Sequence, residues 1–191
     1  MKAPKKRSCM ILLVASLAAC STGGTRQRAG GGIEVARFHL GEPVARAQIA
    51  IEPFDKADSN RPDYPAFAAA VERQLGRLGW TVVRPIGQSE QVALIDVTQG
   101  SREAIAAQTS ARIGRGVSGS AAAGSSAGIT ATLLEVGIKR RSDGTVFWEG
   151  RAVGEARTGS AEAVPAAAVE RLATALFRDF PGESGRTIRL R

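Results

Sequence analysis

Two cysteines and a single histidine are the side chains of this 191-residue chain best suited to chemistry. A thiol can attack, ligate, cross-link or carry an acyl group, and an imidazole can move a proton or bind zinc. His39 has Phe38 and Leu40 beside it, and no His-x-x-x-His, His-x-Glu or Asp-x-Asp-x-Asp pattern accompanies it. A lone histidine cannot complete a zinc shell without carboxylate help. Composition alone leaves a Ser-His-Asp set open, but there is no Gly-x-Ser-x-Gly elbow to present the serine. Asp55 and Asp58 lie in a loop with Asn60 and Pro62 and read as turn formers. Gly114-Arg115-Gly116-Val117-Ser118-Gly119 matches the dinucleotide fingerprint, and Glu135 follows at loose range. Such a turn must open a helix so that its amides meet a pyrophosphate, whereas here Gly, Ser and Ala run on to Gly128. No catalytic, cofactor-binding or metal-binding residue is expected, and the chain does not read as an enzyme.

The cysteines have a different setting. Residues 1–7 carry Lys2, Lys5, Lys6 and Arg7 with no acid, and Met10 to Ala19 is almost wholly apolar. A basic segment before a short apolar one is the secretory layout. The apolar run is about half the ~20 residues a spanning helix needs, so it is expected to be cut away. Its end, Leu17-Ala18-Ala19-Cys20, resembles the lipobox of bacterial lipoproteins. The resemblance implies a signal peptide of residues 1–19, cleavage between Ala19 and Cys20, and a lipid on Cys20 that makes the membrane a partner. Several acyl chains, each methylene contributing ~0.8 kcal/mol when buried, hold a protein more firmly than one. Ser21 stands where Gram-negative lipoproteins with inner-membrane retention carry Asp. The implied location is therefore the outer membrane, facing the periplasm, if the host is Gram-negative. Cys9 would leave with the signal and Cys20 be consumed by lipid, so no disulfide or thiolate site is expected.

Charge narrows the classes further. The whole chain carries +8, but four of its 26 basic residues and no acid lie in residues 1–19, so the mature chain carries +4. That excess is mild and spread out, and no nucleic-acid partner is expected. The densest cluster, Lys139-Arg140-Arg141, falls near a hairpin end where solvated charge is ordinary. About 170 residues suffice for one domain with a real core.

Residues 20–32 (CSTGGTRQRAGGG) lack apolar anchors and read as a flexible tether, leaving 33–191 as a single domain. Strands are expected at Ile33–Leu40, Ala47–Pro53, Trp80–Arg84 and Val92–Thr98. Two longer alternating runs, Ile129–Lys139 and Val146–Arg157, flank Ser142-Asp143-Gly144, a hairpin signal. In the first, Thr130, Thr132, Leu134, Val136 and Ile138 share a face; in the second, Trp148, Gly150, Ala152, Gly154 and Ala156 do. Phe67, Val71, Leu75 and Leu78 form one stripe of a helix from about Pro65 to Leu78, with Pro65 suited to its first turn and Gly79 to its end. A second helix, about Val164 to Phe180, stacks Val164, Ala168, Leu172, Leu176 and Phe180. Residues 112–128 read as a long Gly/Ser/Ala-rich loop. The fold class is α+β, a mostly antiparallel sheet carrying two amphipathic helices. Trp80 and Trp148 belong to the core or a sheet face, and an exposed pair would suit a ligand or glycan surface.

The lipobox, Arg37-Phe38-His39-Leu40, Ile49 to Pro53, Leu78-Gly79-Trp80, and Ile138-Lys139 through Asp143-Gly144 to Gly150 together resemble the bacterial lipoprotein family catalogued as domain of unknown function 4136. The resemblance spans nearly all of the mature chain and implies an envelope lipoprotein with no assigned catalytic residue. The expected role is a non-catalytic accessory or scaffold module that binds another envelope component through a sheet face, the Gly-rich loop or both. The alternative is a periplasmic carrier of a lipid or other small apolar ligand. A continuous apolar groove between helices and sheet would mark the carrier, and a filled core the module. An envelope hydrolase would need His39 exposed beside a serine and a carboxylate. The oligomeric state is not legible in the sequence.

Overall fold

The computed structural model describes residues 32–41, 43–83, 89–113 and 128–191. The lipobox, Ser21, the tether up to residue 31 and the Gly114–Gly119 match lie outside them. In chain order the elements are β1 (Ile33–His39), β2 (Gln48–Pro53), α1 (Tyr64–Arg77), β3 (Thr81–Val82), β4 (Gln91–Gly100), α2 (Arg102–Ile113), β5 (Ile129–Arg140), β6 (Val146–Arg157), α3 (Pro165–Phe177) and β7 (Thr187–Leu190). Among the described residues the seven strands form one sheet in the order β3-β2-β4-β5-β6-β1-β7. No described helix is long and apolar enough to cross a membrane.

The sheet is mixed rather than mostly antiparallel. Strand β2 runs parallel to both β3 and β4, and the pairs from β4 through β5, β6 and β1 to β7 are antiparallel. The cause is α1. It leaves β2 and returns the chain to the same side of the sheet, and such a crossover delivers parallel neighbours. The hairpin closes as its sequence requires, with the Arg140 N–H donating to the Thr145 carbonyl at 2.9 Å and Gly144 at φ +71°. The Asp143 carboxylate accepts the Thr145 amide at 2.9 Å. That bond, with Arg140 beside it, pushes the acid down to about 2.

Helices α1 and α3 lie side by side on one sheet face. Phe67, Val71 and Leu75 of α1 and Val169, Leu172 and Leu176 of α3 meet Val35, Ile49, Ile95, Leu134, Val136 and Trp148 in one core. The α1 stripe, its Pro65 in the first turn and Gly79 at φ +96° follow the sequence pattern. Close approach of α3 to β6 depends on small residues. A Cβ added to Gly150 would stand 2.4 Å from the Trp148 ring and 2.8 Å from Leu176 Cδ1, and one on Gly154 would stand 3.0 Å from Leu172.

Several expectations need correction. There are three described helices rather than two. The third, α2, lies on the opposite sheet face, where Ile105 packs on Ala131 and Leu133. It takes in the first two residues of the expected 112–128 loop, while 114–127 lie outside the described residues. Strand β3 holds only two residues of the expected Trp80–Arg84 run. Strand β7, unexpected from the sequence, pairs with β1 at one edge. Helix α3 ends at Phe177, and Val164, placed by the sequence pattern in its apolar stack, is 52% exposed. Phe180 still reaches the core, but from a turn beyond the helix.

Candidate functional site

Strand alternation puts Val35, Arg37 and His39 of β1 on the helix side of the sheet, and the chain after α3 folds back onto them. The buried Arg37 guanidinium donates through Nε to the Leu176 carbonyl at 2.8 Å and through Nη2 to Ala175 at 3.0 Å and Arg178 at 2.8 Å. These are carbonyls that a helix end leaves without intrahelical donors, and they lie at the negative pole of its dipole. Burial holds the guanidinium below its ordinary pKa, and the charge of Asp179 partly offsets this.

His39 serves the same seam. Its Nδ1 accepts the Gly41 amide at 3.1 Å, which makes Nε2 the protonated nitrogen and the donor to the Gly182 carbonyl at 3.0 Å. Ser184 is close, but its hydroxyl engages the His39 backbone, accepting from the N–H at 3.1 Å. The imidazole thus holds two backbone segments together. Trp148 Nε1 donates to the Pro181 carbonyl at 3.0 Å, and its ring stacks on Phe177 at 5.3 Å and meets Phe180 at 5.2 Å. Trp80 is 3% exposed, donates to Gln91 at 2.8 Å and packs edge-on against Phe180. The two tryptophans are core residues and form no exposed pair. Asp55 caps a short 3-10 turn by accepting from the Ala57 amide at 2.9 Å, and Asp58 pairs with Arg61 at 3.8 Å.

An open groove of about 1240 Å³ lies between the outer side of α3, the ends of β6 and β7, and Gly32. Its walls carry Arg157, Arg171, Arg178, Arg189 and Arg191. On α3, Glu170, Arg171, Thr174 and Ala175 follow helical spacing and present one face to it, and Arg178 joins them from the helix cap. Glu155 and Glu170 also line the groove, but each is bound by an arginine from outside it, Arg102 at 3.1 Å and Arg73 respectively. Arg189 is held by Glu34. Glu162 lies below its ordinary pKa because its own backbone amide and the Ser160 hydroxyl bond its carboxylate and the charge of Arg171 adds to them. Arg171 donates through Nη2 to the Glu162 carbonyl at 3.1 Å and its charge also acts on the Glu162 carboxylate, while its Nε is buried without an acceptor. The sequence hid this site, because its cations are scattered over three elements and only the packing of α3 beside β7 collects them.

No family model matches the chain. The fold defines an α+β protein with a mixed seven-stranded sheet. Uncharacterized protein ZMO1243 of Zymomonas mobilis is 30% identical over 208 aligned positions, covering 81% of this chain and 78% of the relative, and the chain belongs to the same family. Among solved structures, a PDZ domain protein from Parabacteroides distasonis superposes with a TM-score of 0.50 at 12% identity over 84% of this chain. The chain spans 39% of that protein's length, and the likeness is one of fold. A PelC dodecamer from Paraburkholderia phytofirmans gives a TM-score of 0.42 at 12% identity, over 74% of this chain and 92% of that one.

Proposed function

We propose that this chain is a lipoprotein of the bacterial cell envelope, anchored through lipid on Cys20 and acting as a non-catalytic accessory or scaffold module for another envelope component. The lipobox-like Leu17 to Cys20 supplies the anchor, and Ser21 favours the outer membrane of a Gram-negative host, with the domain facing the periplasm. Membership of the domain of unknown function 4136 lipoproteins is part of this reading. The observation that carries the choice of module over carrier is the filled interface between helices and sheet. Trp148, Phe67, Leu172 and Leu176 are at most 2% exposed there, and the aromatic cluster of Trp80, Trp148, Phe177 and Phe180 occupies the space an apolar ligand would need. The engagement of both His39 nitrogens with backbone weighs against an envelope hydrolase.

The test is mass spectrometry of the mature protein from separated membranes, followed by crosslinked pulldown from the same fractions. An acylated N-terminus at Cys20 with one reproducible protein partner supports the reading, and Cys20→Ala is expected to abolish membrane attachment of the processed form. Normal attachment of that variant would sink the anchor. A co-purifying small apolar molecule without a protein partner would transfer the assignment to a carrier.

A further inference from the structure

The arginine groove lies where the chain comes in from the Cys20 side, and we infer that it docks the domain onto anionic phospholipid headgroups of the membrane holding Cys20. This rests on the lipid-anchor reading and adds an orientation to it. Gly32 forms part of the groove wall and is pressed against β7, where an added Cβ would stand 2.4 Å from the Leu190 carbonyl oxygen. The tether therefore enters the fold at the groove itself. Twelve peptide units separate Cys20 from Gly32, and a chain spans at most ~3.3–3.6 Å per residue, about 40 Å here. A lipid on Cys20 thus keeps the groove within reach of the headgroup layer at all times.

Charge and geometry fit phosphate diesters. Guanidinium forks match phosphate oxygens in two-point contacts. Arg171 on α3 and Arg178, the residue that caps its C-terminal end, are seven residues apart, so their Cα atoms stand about 10 Å apart along the axis, a separation that suits two neighbouring headgroups rather than one small anion. Glu155 and Glu170 are already paired with Arg102 and Arg73, Glu162 is bonded by its own amide and Ser160, and the loose 3.7 Å pair of Arg178 with the exposed Asp179 can open, so these acids oppose an incoming anion weakly. The opposite end of the molecule differs: Phe38 at the end of β1, Leu40 just beyond it and Val146 at the start of β6 are 46%, 62% and 48% exposed. With the groove on the membrane, that end faces away from the bilayer.

The test uses the mature lipidated chain reconstituted into phosphatidylcholine vesicles with or without phosphatidylglycerol. The acyl groups occupy Cys20, so a nitroxide can be attached at Ala167→Cys, on the exposed groove side of α3, or at Leu40→Cys at the far end. Relaxation by a paramagnetic headgroup lipid reports the distance of each label from the bilayer. On phosphatidylglycerol vesicles the label at 167 is expected to relax strongly and that at 40 weakly. The contrast should vanish on neutral vesicles and in high salt. The exposed pair Arg157→Gln and Arg178→Gln should lower the docked-to-undocked ratio about fivefold per arginine, roughly twenty-five-fold together, since each cation near an anionic surface contributes about 1 kcal/mol. Equal relaxation at both sites in a chain that floats with the vesicles overturns the docking alone. A chain without acyl mass at Cys20 that fails to float overturns the anchor reading and the docking with it. Loss of the contrast with inorganic phosphate, but not with chloride of equal ionic strength, would reassign the groove to free phosphate. Loss of the contrast when an acidic protein is added to the vesicles, but not with chloride of equal ionic strength, would reassign it to a protein partner.

Discussion

Arg37 Nε, on strand β1, lies 2.8 Å from the carbonyl oxygen of Leu176 in the last turn of α3, and this bond joins a strand to a helix end 139 residues further along the chain. With the two companion bonds to Ala175 and Arg178 it satisfies the carbonyls where α3 stops and fixes how the following turn carries Phe180 back into the core.

Replacing Arg37 by Met removes the fork and leaves those carbonyls short of donors inside the fold. The expected loss is about 3 kcal/mol, since hydrogen bonds to charged groups contribute ~1.5–3 kcal/mol and stranded partners add desolvation cost. It should appear as a lower urea midpoint with an unchanged slope. Arg37→Lys should recover part of it, because one ammonium cannot span the three acceptors. An unchanged midpoint for the Met variant would mean that water already serves these carbonyls.

Gly150→Ala is a packing test. The new methyl would meet the Trp148 ring at 2.4 Å and Leu176 at 2.8 Å, and overfilled cores lose about 1–3 kcal/mol. A lowered melting temperature and altered tryptophan emission are expected together. Gly137→Ala on β5 is the control, because nothing lies within 4 Å of its added Cβ and its effect should stay within about 0.5 kcal/mol. Equal effects at the two positions would refute the close contact of helix and strand.

Glu34 sits between Arg102 and Arg189 on the sheet face opposite α1 and α3. Burial alone would raise its pKa, but hydrogen bonds from Arg189 and Arg102 and their charges outweigh that and bring it below the ordinary 4.5. A carboxylate lowered in the folded state contributes stability above its unfolded pKa and loses it as pH falls through the folded one. Unfolding midpoints measured from about pH 5 to about pH 3 should therefore fall more steeply for the native chain than for Glu34→Gln. Parallel curves would show that the ion pairs add no acid dependence.

His39→Ala should loosen one segment rather than the whole fold. The Gly182 carbonyl loses its donor, at a cost of about 1 kcal/mol. Hydrogen exchange should quicken at Gly185, whose amide donates to the Arg37 carbonyl at 2.8 Å, while amides in β5 and β6 keep their rates. Uniform acceleration would show that the seam unfolds only with the domain.

Local pattern made several elements legible. The spacing of Phe67, Val71 and Leu75, bracketed by Pro65 and Gly79, announces α1, and the alternating runs around Asp143-Gly144 announce β5 and β6 with bounds nearly as observed. Helix α2 is not legible in the sequence: among its described side chains Ile105 is the buried apolar one, and a single anchor marks no stripe. The sequence pattern carries α3 past Phe177 because Phe180 continues its apolar period. What ends it is Arg37, whose role at the helix terminus cannot be read from residues near 177.

The sequence by itself carries the lipobox-like motif on which the anchor proposal rests, and it determined the α+β class and most strand and helix faces. Each of these depends on residues within a turn or two of one another. Only the tertiary structure decided that β1 lies between β6 and β7, that β2 joins its neighbours in parallel, and that Arg157, Arg171, Arg178 and Arg189 share one groove with Gly32. Sheet order and cation clustering come from long-range closure of the chain, where the gain is burial of a common core, and no local spacing encodes which distant segment supplies it.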